Sequence, residues 1–292
     1  MKLGVSGQAL SDVADLEGII KVLKKYQISN IEIWPENIAY PSGKNGPAYA
    51  YKGKDINSAK RMLVENGIHT ACVTFGGAAI KELVGDVELY ATALTETVRV
   101  AKLLGAGIVN HYCCCISMGE TPDLERIKRY MKPALIEAEK LGIVLALENE
   151  AHDSTATPEN MLKIVSFMNS DYFKTNFDAT NYYHASQEGF PHAYEVLKDY
   201  IAYVHVKNGC LYDARFYDSC GKGSEMSGML KGRAIYYPPV SQGAVNIDGL
   251  MIRLKQDGYK GYCTLEPHIS TDKVESYYAQ ETAYLNNRKY FD

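Results

Sequence analysis

The sequence predicts an α/β protein, a closed (β/α)₈ barrel forming a single domain. Three observations predict it. Eight short β-branched or apolar runs recur along the 292 residues, helix-like stretches separate most of them, and the runs tend to end in polar residues. Strands that alternate with helices pair in parallel, because a parallel connection needs a crossover of a dozen or more residues. Eight such units in a chain of this length favour a closed barrel over an open doubly wound sheet. The open sheet also lacks its usual signatures, since no GxGxxG follows the first strand and no GxxxxGK[ST] occurs anywhere.

The predicted strands are Leu3–Val5, Asn30–Ile33, His69–Thr74, Gly107–His111, Val144–Glu148, Thr175–Asp178, Ala202–Lys207 and Tyr262–Glu266. Between them, Asp86–Leu104 carries Leu89, Ala93, Val98 and Ala101 on one helical stripe. Pro122–Leu141 reads similarly, with Gly142 placed as a stop. Pro158–Met168 opens on Thr157-Pro158-Glu159, an N-cap residue followed by proline at the first helical position. Asp248–Gln256 ends at Asp257-Gly258. One stretch breaks the rhythm. Residues 208–244, rich in Gly, Tyr and Ser, show no helical or strand period. A loop this long between the seventh and eighth strands lies over the mouth of such a barrel, so a lid or a subunit contact is expected.

The composition is ordinary for a globular protein, with 46% hydrophobic and 23% charged residues. A net charge of -4 provides no basic footprint, which argues against a nucleic-acid partner. The N-terminal segment lacks the apolar core of a signal peptide, being interrupted by Asp12, Asp15 and Glu17. No apolar run is long enough to span a membrane. The seven cysteines are odd in number and contain no CxxC pair, so reduced thiols and a cytoplasmic location are expected. The triplet Cys113-Cys114-Cys115 reads as small buried thiols.

Four strand ends carry metal-type ligands: Glu148, Asp178, His205 and Glu266. In a barrel, side chains at the carboxyl ends of strands point into the mouth where chemistry occurs. Charged groups in otherwise apolar strands are costly to bury unless they are paired or bound to metal. A divalent cation removes the mutual repulsion of three carboxylates, and one imidazole with oxygen ligands suits Mn²⁺, Mg²⁺, Co²⁺ or Zn²⁺.

Those segments also carry a resemblance. Leu-Glu-Asn-Glu at 147–150, Phe-Asp-Ala-Thr-Asn at 177–181, His-Val-Lys at 205–207 and Gly-Tyr-Cys-Thr-Leu-Glu at 261–266 resemble the xylose isomerase-like TIM barrels, the sugar phosphate isomerase/epimerase superfamily. Residues 243–251 resemble the family's lead-in to its last helix, and Ile-Glu-Ile at 31–33 its second strand. The resemblance implies that Glu148, Asp178, His205 and Glu266 hold one divalent metal and that Glu148 and Glu266 are the catalytic proton carriers. It implies a small carbohydrate substrate, isomerisation or epimerisation by removal and return of a proton beside a ketose carbonyl, and a homodimer or homotetramer. The alternative on the same site is a lyase: a keto-inositol dehydratase, a dehydroshikimate dehydratase or an enzyme of keto-glycoside β-elimination. The related endonuclease IV needs many more histidines than the seven present.

Two departures stand out. Asn208 replaces the aspartate that many relatives carry after the His-x-Lys, and Asn181 replaces a frequent histidine. Asn181, Lys207, His152, His111 and Glu32 are the candidates for substrate binding, with Glu32 alternatively behind a ligand. His268 is a candidate for the pocket wall, and His184 is expected to face solvent. Arg215 and Arg233 are possible stand-ins for an arginine that some epimerases place after the seventh strand.

Overall fold

Eight parallel strands form the ring, because each short apolar run is too brief to bury itself and finds a neighbour on either side. The structure, a computed structural model, describes residues 1–11, 14–41, 44, 46–47, 50–76, 82–115, 120–211, 226–230 and 233–291. The barrel strands are β1 (Lys2–Ser6), β2 (Asn30–Ile33), β3 (His69–Thr74), β4 (Ile108–His111), β5 (Val144–Glu148), β6 (Phe173–Asp178) and β7 (Ile201–Val206). The eighth barrel strand in sequence, after three strands outside the ring, is Tyr262–Leu265. It pairs with both β1 and β7, in the registers Val5↔Leu265 and His205↔Thr264, and so closes the sheet. Observed boundaries lie within two residues of the predicted ones. Lys207 and Glu266 stand one residue beyond their strands.

Helices α1 (Leu16–Lys25), α2 (Ile56–Glu65), α3 (Val87–Leu104), α4 (Leu124–Leu141), α5 (Pro158–Met168), α6 (Ala179–His184), α7 (Tyr194–Leu197), α8 (Ile247–Gln256) and α9 (Val274–Asn287) accompany the strands. A side chain caps most of their starts: Asp15, Asp55, Asp86, Asp123 and Asn246 each accept a backbone N–H three residues on at 2.9 Å. Such caps satisfy donors that the first helical turn leaves unpaired. Gly105 and Gly142 end α3 and α4 in the left-handed conformation, at φ 79° and 70°. Among the described residues, no helix is long and apolar enough to cross a membrane.

Strand alternation divides the residues between two environments. Outward side chains such as Val73, Val109, Leu145, Phe177 and Val204 join the apolar layer beneath the helices. Inward side chains fill the barrel. Near its base Cys72, Ala146 and Tyr203 pack together. Above them the filling turns polar, and bonds cross between strands that are not neighbours. Asn176 on β6 donates to Asn110 on β4 at 3.1 Å, and His205 on β7 lies 2.9 Å from Glu32 on β2.

The stretch without periodicity holds strands of its own: β8 (Cys210–Leu211), β9 (Met226–Leu230) and β10 (Arg233–Tyr236), in the order β8-β10-β9, antiparallel. With these three counted, the last barrel strand is β11. Arg215 and the rest of 212–225, like 231–232, lie outside the described residues, and the Arg233 side chain is not described. Asn208, noted in the sequence as a departure, ties this excursion to the barrel. Its buried amide donates to Val240 O at 2.7 Å and Val245 O at 2.9 Å, and its carbonyl accepts from Val245 N at 3.0 Å. Asparagine offers a donor and an acceptor where aspartate would offer only acceptors.

Replacing Asn208 with Ala strands two backbone donors, Val245 N and Gly209 N, and two carbonyls in a buried site. At about 1 kcal/mol for each lost bond, the variant is expected to lose roughly 4 kcal/mol of stability, read from urea unfolding. Asn208→Asp should do at least as badly, because it turns two donated bonds into repulsion between oxygens.

Candidate metal centre

The centre is built from strand ends that the register sets side by side. Asp178 pairs with His205, Glu148 with Asn176, and Thr264 with His205. Side chains two apart on a strand share a face, so Asn176 and Asp178, and Tyr203 and His205, all point inward. Glu148, Asp178, His205 and Glu266 present donor atoms that all lie within 4.8 Å of one another, and all four residues are buried.

His205 is the hub. Its Nε2 faces Glu32 Oε2 at 2.9 Å, and its Nδ1 faces Glu148 Oε1 at 3.0 Å and Glu266 Oε2 at 3.4 Å. Glu32 is held in turn by the hydroxyl of Thr74, and by Tyr203 at 3.4 Å. A carboxylate behind one ring nitrogen fixes the tautomer and leaves the other nitrogen as the ligand. Nδ1 is therefore the atom directed at the cluster. Asparagines hold the remaining groups in place. Asn110 donates to Glu148 Oε2 at 2.8 Å, and Asn181 lies 3.4 Å from Glu148 Oε1. Asn149 and Asp178 exchange backbone–side-chain bonds at 2.9 Å in both directions. Asp178 divides its two oxygens. Oδ1 caps α6 through Thr180 N and Asn181 N, at 2.8 and 2.9 Å. Oδ2 faces the cluster, 2.8 Å from Lys207 Nζ but without an aligned hydrogen bond.

The charges explain the titration. Burial lowers the His205 imidazole, but Glu148, Glu266 and Glu32 together carry it well above its usual value. Burial likewise opposes the Lys207 ammonium, which Asp178, Glu266 and Glu148 hold well above the lysine range. Burial pushes the Glu148 carboxyl up, opposed by His205 and reinforced by Glu266. Burial also raises Glu266, yet Lys207 and His205 bring it well below the usual carboxylate range. Two protonated side chains thus balance three converging carboxylates. Three hard oxygen donors and one imidazole suit a divalent ion, and Asp178 Oδ2, buried and without an aligned donor, is an acceptor that such an ion would satisfy.

A profile of the family described as xylose isomerase-like TIM barrel matches residues 14–288. The chain belongs to this family. Comparison with curated proteins returns no match. Solved structures of similar shape include a probable 3-DHS dehydratase of petrobactin synthesis from Bacillus anthracis, at 13% identity, TM-score 0.68 and coverage of 99% of this chain and 100% of that one. A D-psicose 3-epimerase with D-tagatose from Clostridium cellulolyticum H10 aligns at 17% identity and TM-score 0.68, over 99% of both chains. The IOLI protein with a bound zinc atom aligns at 18% identity and TM-score 0.68, over all of both chains. Solved structures of this fold thus carry names of more than one reaction type.

Within this family barrel, the structure gathers Glu148, Asp178, His205, Glu266, Lys207, Asn181 and Glu32 at one place. Glu32 departs from the expectation of substrate contact, because it lies beneath His205 on the barrel side. His111 departs as well. Strand alternation sends Asn110 inward and His111 outward, where its ring packs edge-on against Phe173 at 5.6 Å. Neither of its nitrogens has a hydrogen-bond partner, and burial lowers its pKa to about 3. His152 stands on the loop after β5 with its side chain 67% exposed, and lies 3.5 Å from Glu150 rather than at the cluster. His268 joins the rim, 3.2 Å from Lys207 Nζ and stacked on Tyr237 with ring centroids 4.7 Å apart. His184, expected to face solvent, is half-buried beside Tyr237, whose hydroxyl lies 3.2 Å from its Nδ1. Asn110, Asn149, Asn176 and Tyr237 were missed. An asparagine two residues before Asp178, and another inside an apolar fourth strand, were the available signals.

A divalent ion can take His205 Nδ1 only after the imidazole loses its proton. Because the carboxylates raise the His205 pKa, affinity should strengthen by about one decade per pH unit through neutrality, with about one proton released. Calorimetry with Mn²⁺ or Zn²⁺ in buffers of different ionisation enthalpy reads both quantities. Affinity constant between pH 6 and 8 would contradict the assignment. Glu32→Gln should weaken binding by about 10–100-fold while leaving all four ligands in place.

Proposed function

We propose that the protein is a divalent-metal-dependent isomerase or epimerase of a small sugar, with Glu148 and Glu266 as its proton carriers. One observation carries this reading. Two carboxylates from strands on different parts of the ring, β5 and the end of β11, face the same ligand nitrogen, His205 Nδ1. A ketose seated between them would have one carboxylate on each face. When bound, the ion polarises the ketose carbonyl and the neighbouring hydroxyl, which acidifies the intervening C–H. One carboxylate removes that proton. Return by the same group moves the carbonyl along the chain, whereas delivery by the opposite group inverts the centre. Lys207, with its ammonium 2.6 Å from Glu266 Oε2, provides a fixed positive charge for a substrate oxygen, and Asn181 holds Glu148 in position. The epimerase among the similar structures supports this reading.

The position of Lys207 also supports a second reading. A buried ammonium beside Glu266 and His268 is placed to protonate a departing hydroxyl, and elimination begins with the same proton abstraction. A dehydratase of a keto-polyol or keto-acid would use these groups, and the probable 3-DHS dehydratase among the similar structures is consistent with it.

The two readings separate in D₂O. The protein loaded with Mn²⁺, given a panel of ketoses, should exchange the C–H beside the carbonyl for C–D, followed by NMR. Growth of ultraviolet absorbance from an unsaturated product would instead select the lyase. Glu148→Gln and Glu266→Gln should each slow proton transfer by about 10²–10⁴-fold. Neither exchange nor elimination by metal-loaded protein across sugars, inositols and keto-acids would remove both readings.

A further inference from the structure

Lys207 lies against the metal centre without being one of its four candidate ligands. Its ammonium nitrogen is 2.6 Å from Glu266 Oε2 and 2.8 Å from Asp178 Oδ2. These are the oxygens that the two residues have to offer an ion. Asp178 Oδ1 is engaged in capping α6, and Glu266 Oε2 is the atom that faces His205 Nδ1, at 3.4 Å. The Lys207 side chain is only 3% exposed, so its charge has exchanged water for these partners. Among the described residues, no other lysine or arginine pairs with Glu148, Asp178 or Glu266.

The third neighbour of the ammonium is neutral when it accepts. His268 Nε2 lies 3.2 Å from Lys207 Nζ, and an ammonium can only donate. His268 stands at the rim, with 34% of its side chain exposed. Its ring is stacked on Tyr237 at 4.7 Å and an interplanar angle of 18°, and the Tyr237 hydroxyl lies 3.2 Å from His184 Nδ1. The excursion after β7 therefore holds the one ammonium partner that an ion does not need.

We propose that Lys207 competes with a divalent ion for Asp178 Oδ2 and Glu266 Oε2, and that on loading its ammonium swings to the rim with His268 as the pivot. The inference rests on the metal centre and not on which reaction that centre serves. A metal–oxygen bond of about 2.0–2.2 Å draws both oxygens closer to one point than a hydrogen bond does. An ammonium bridging the same two oxygens sits beside that point, and like charges this close repel strongly where water is scarce. The two contacts differ in strength. The one to Asp178 lacks an aligned hydrogen bond and yields first, whereas the one to Glu266 is aligned. The lysine stem is flexible, and the half-open rim returns water to the ammonium, which offsets the lost ion pairs. The opposite arrangement is that Lys207 stays between the carboxylates and steadies them for the ion. Removing the ammonium then weakens ion binding, whereas competition requires that it strengthen it.

Calorimetry with Mn²⁺ on chelator-treated protein separates the two. Lys207→Met keeps most of the stem and removes the charge, and it should bind Mn²⁺ about 10–100-fold more tightly than the wild type. Equal or weaker binding by the folded variant overturns the proposal. His268→Ala should weaken Mn²⁺ binding severalfold in the wild-type background and leave it unchanged in the Lys207→Met background, because the pivot acts only through the ammonium. The same loss in both backgrounds overturns the pivot. If Lys207→Met does not fold, acetic anhydride labelling with peptide mapping decides on the wild-type chain. Saturating Mn²⁺ should then raise the acetylation rate of Lys207 severalfold while that of exposed Lys140 stays constant. An unchanged or slower Lys207 rate overturns the displacement. Absence of Mn²⁺ binding in both the wild type and Lys207→Met would remove the metal centre itself, and the proposal with it.

Discussion

Three carboxylates held out of water within a few ångströms of one another are the constraint on which the centre is built. Two like charges 4 Å apart repel by about 4 kcal/mol at an effective dielectric of about 20. Three such pairs rival the whole folding stability of a typical domain, about 5–15 kcal/mol. Glu148, Asp178 and Glu266 are tolerated because His205 and Lys207 sit among them as cations. The same arithmetic explains why these four residues could hold a divalent ion, whose two positive charges would offset the carboxylates at one point.

The surrounding polar groups give that cluster its shape. Glu32 reaches across the barrel to orient His205, and Thr74 and Tyr203 keep Glu32 itself satisfied. Asn110, Asn176, Asn149 and Asn181 link β4, β5, β6 and α6 behind the carboxylates. A barrel interior near its mouth is a place where polar side chains from several strands can meet without water, so each must find a partner in another strand. His111 shows the opposite case. It sits among apolar side chains and takes no hydrogen bond, and its imidazole remains neutral there.

The excursion after β7 connects the barrel's rim to its surroundings. Asn208 fixes the return of the chain at Val240 and Val245, and Tyr237 then stacks on His268, which touches Lys207. Among its described residues, the aperiodic segment thus contributes the Tyr237 ring to the edge of the charged cluster. Amino-acid patterning did not reveal this, because β8, β9 and β10 are short and lack a clean alternation to read.

Local chemistry made much of the molecule legible in advance. Eight strand-sized runs bounded by turn and helix signals led to the barrel, because hydrophobic period and capping residues act over a few neighbours. Charged residues at the ends of the last four barrel strands led to Glu148, Asp178, His205 and Glu266, because four such residues on consecutive strands are harder to explain as caps or salt-bridge partners than any one alone. Strand period alone also separates Asn110 from His111, provided one knows which face is inside. Only the closed ring settles that, by bringing β2 beside the cluster and setting Asp178 against His205. Glu32 behind His205, Asn110 on Glu148 and Tyr237 on His268 are partners separated by tens to nearly two hundred residues. Such pairings follow from barrel closure and strand register, which no local stretch of sequence encodes.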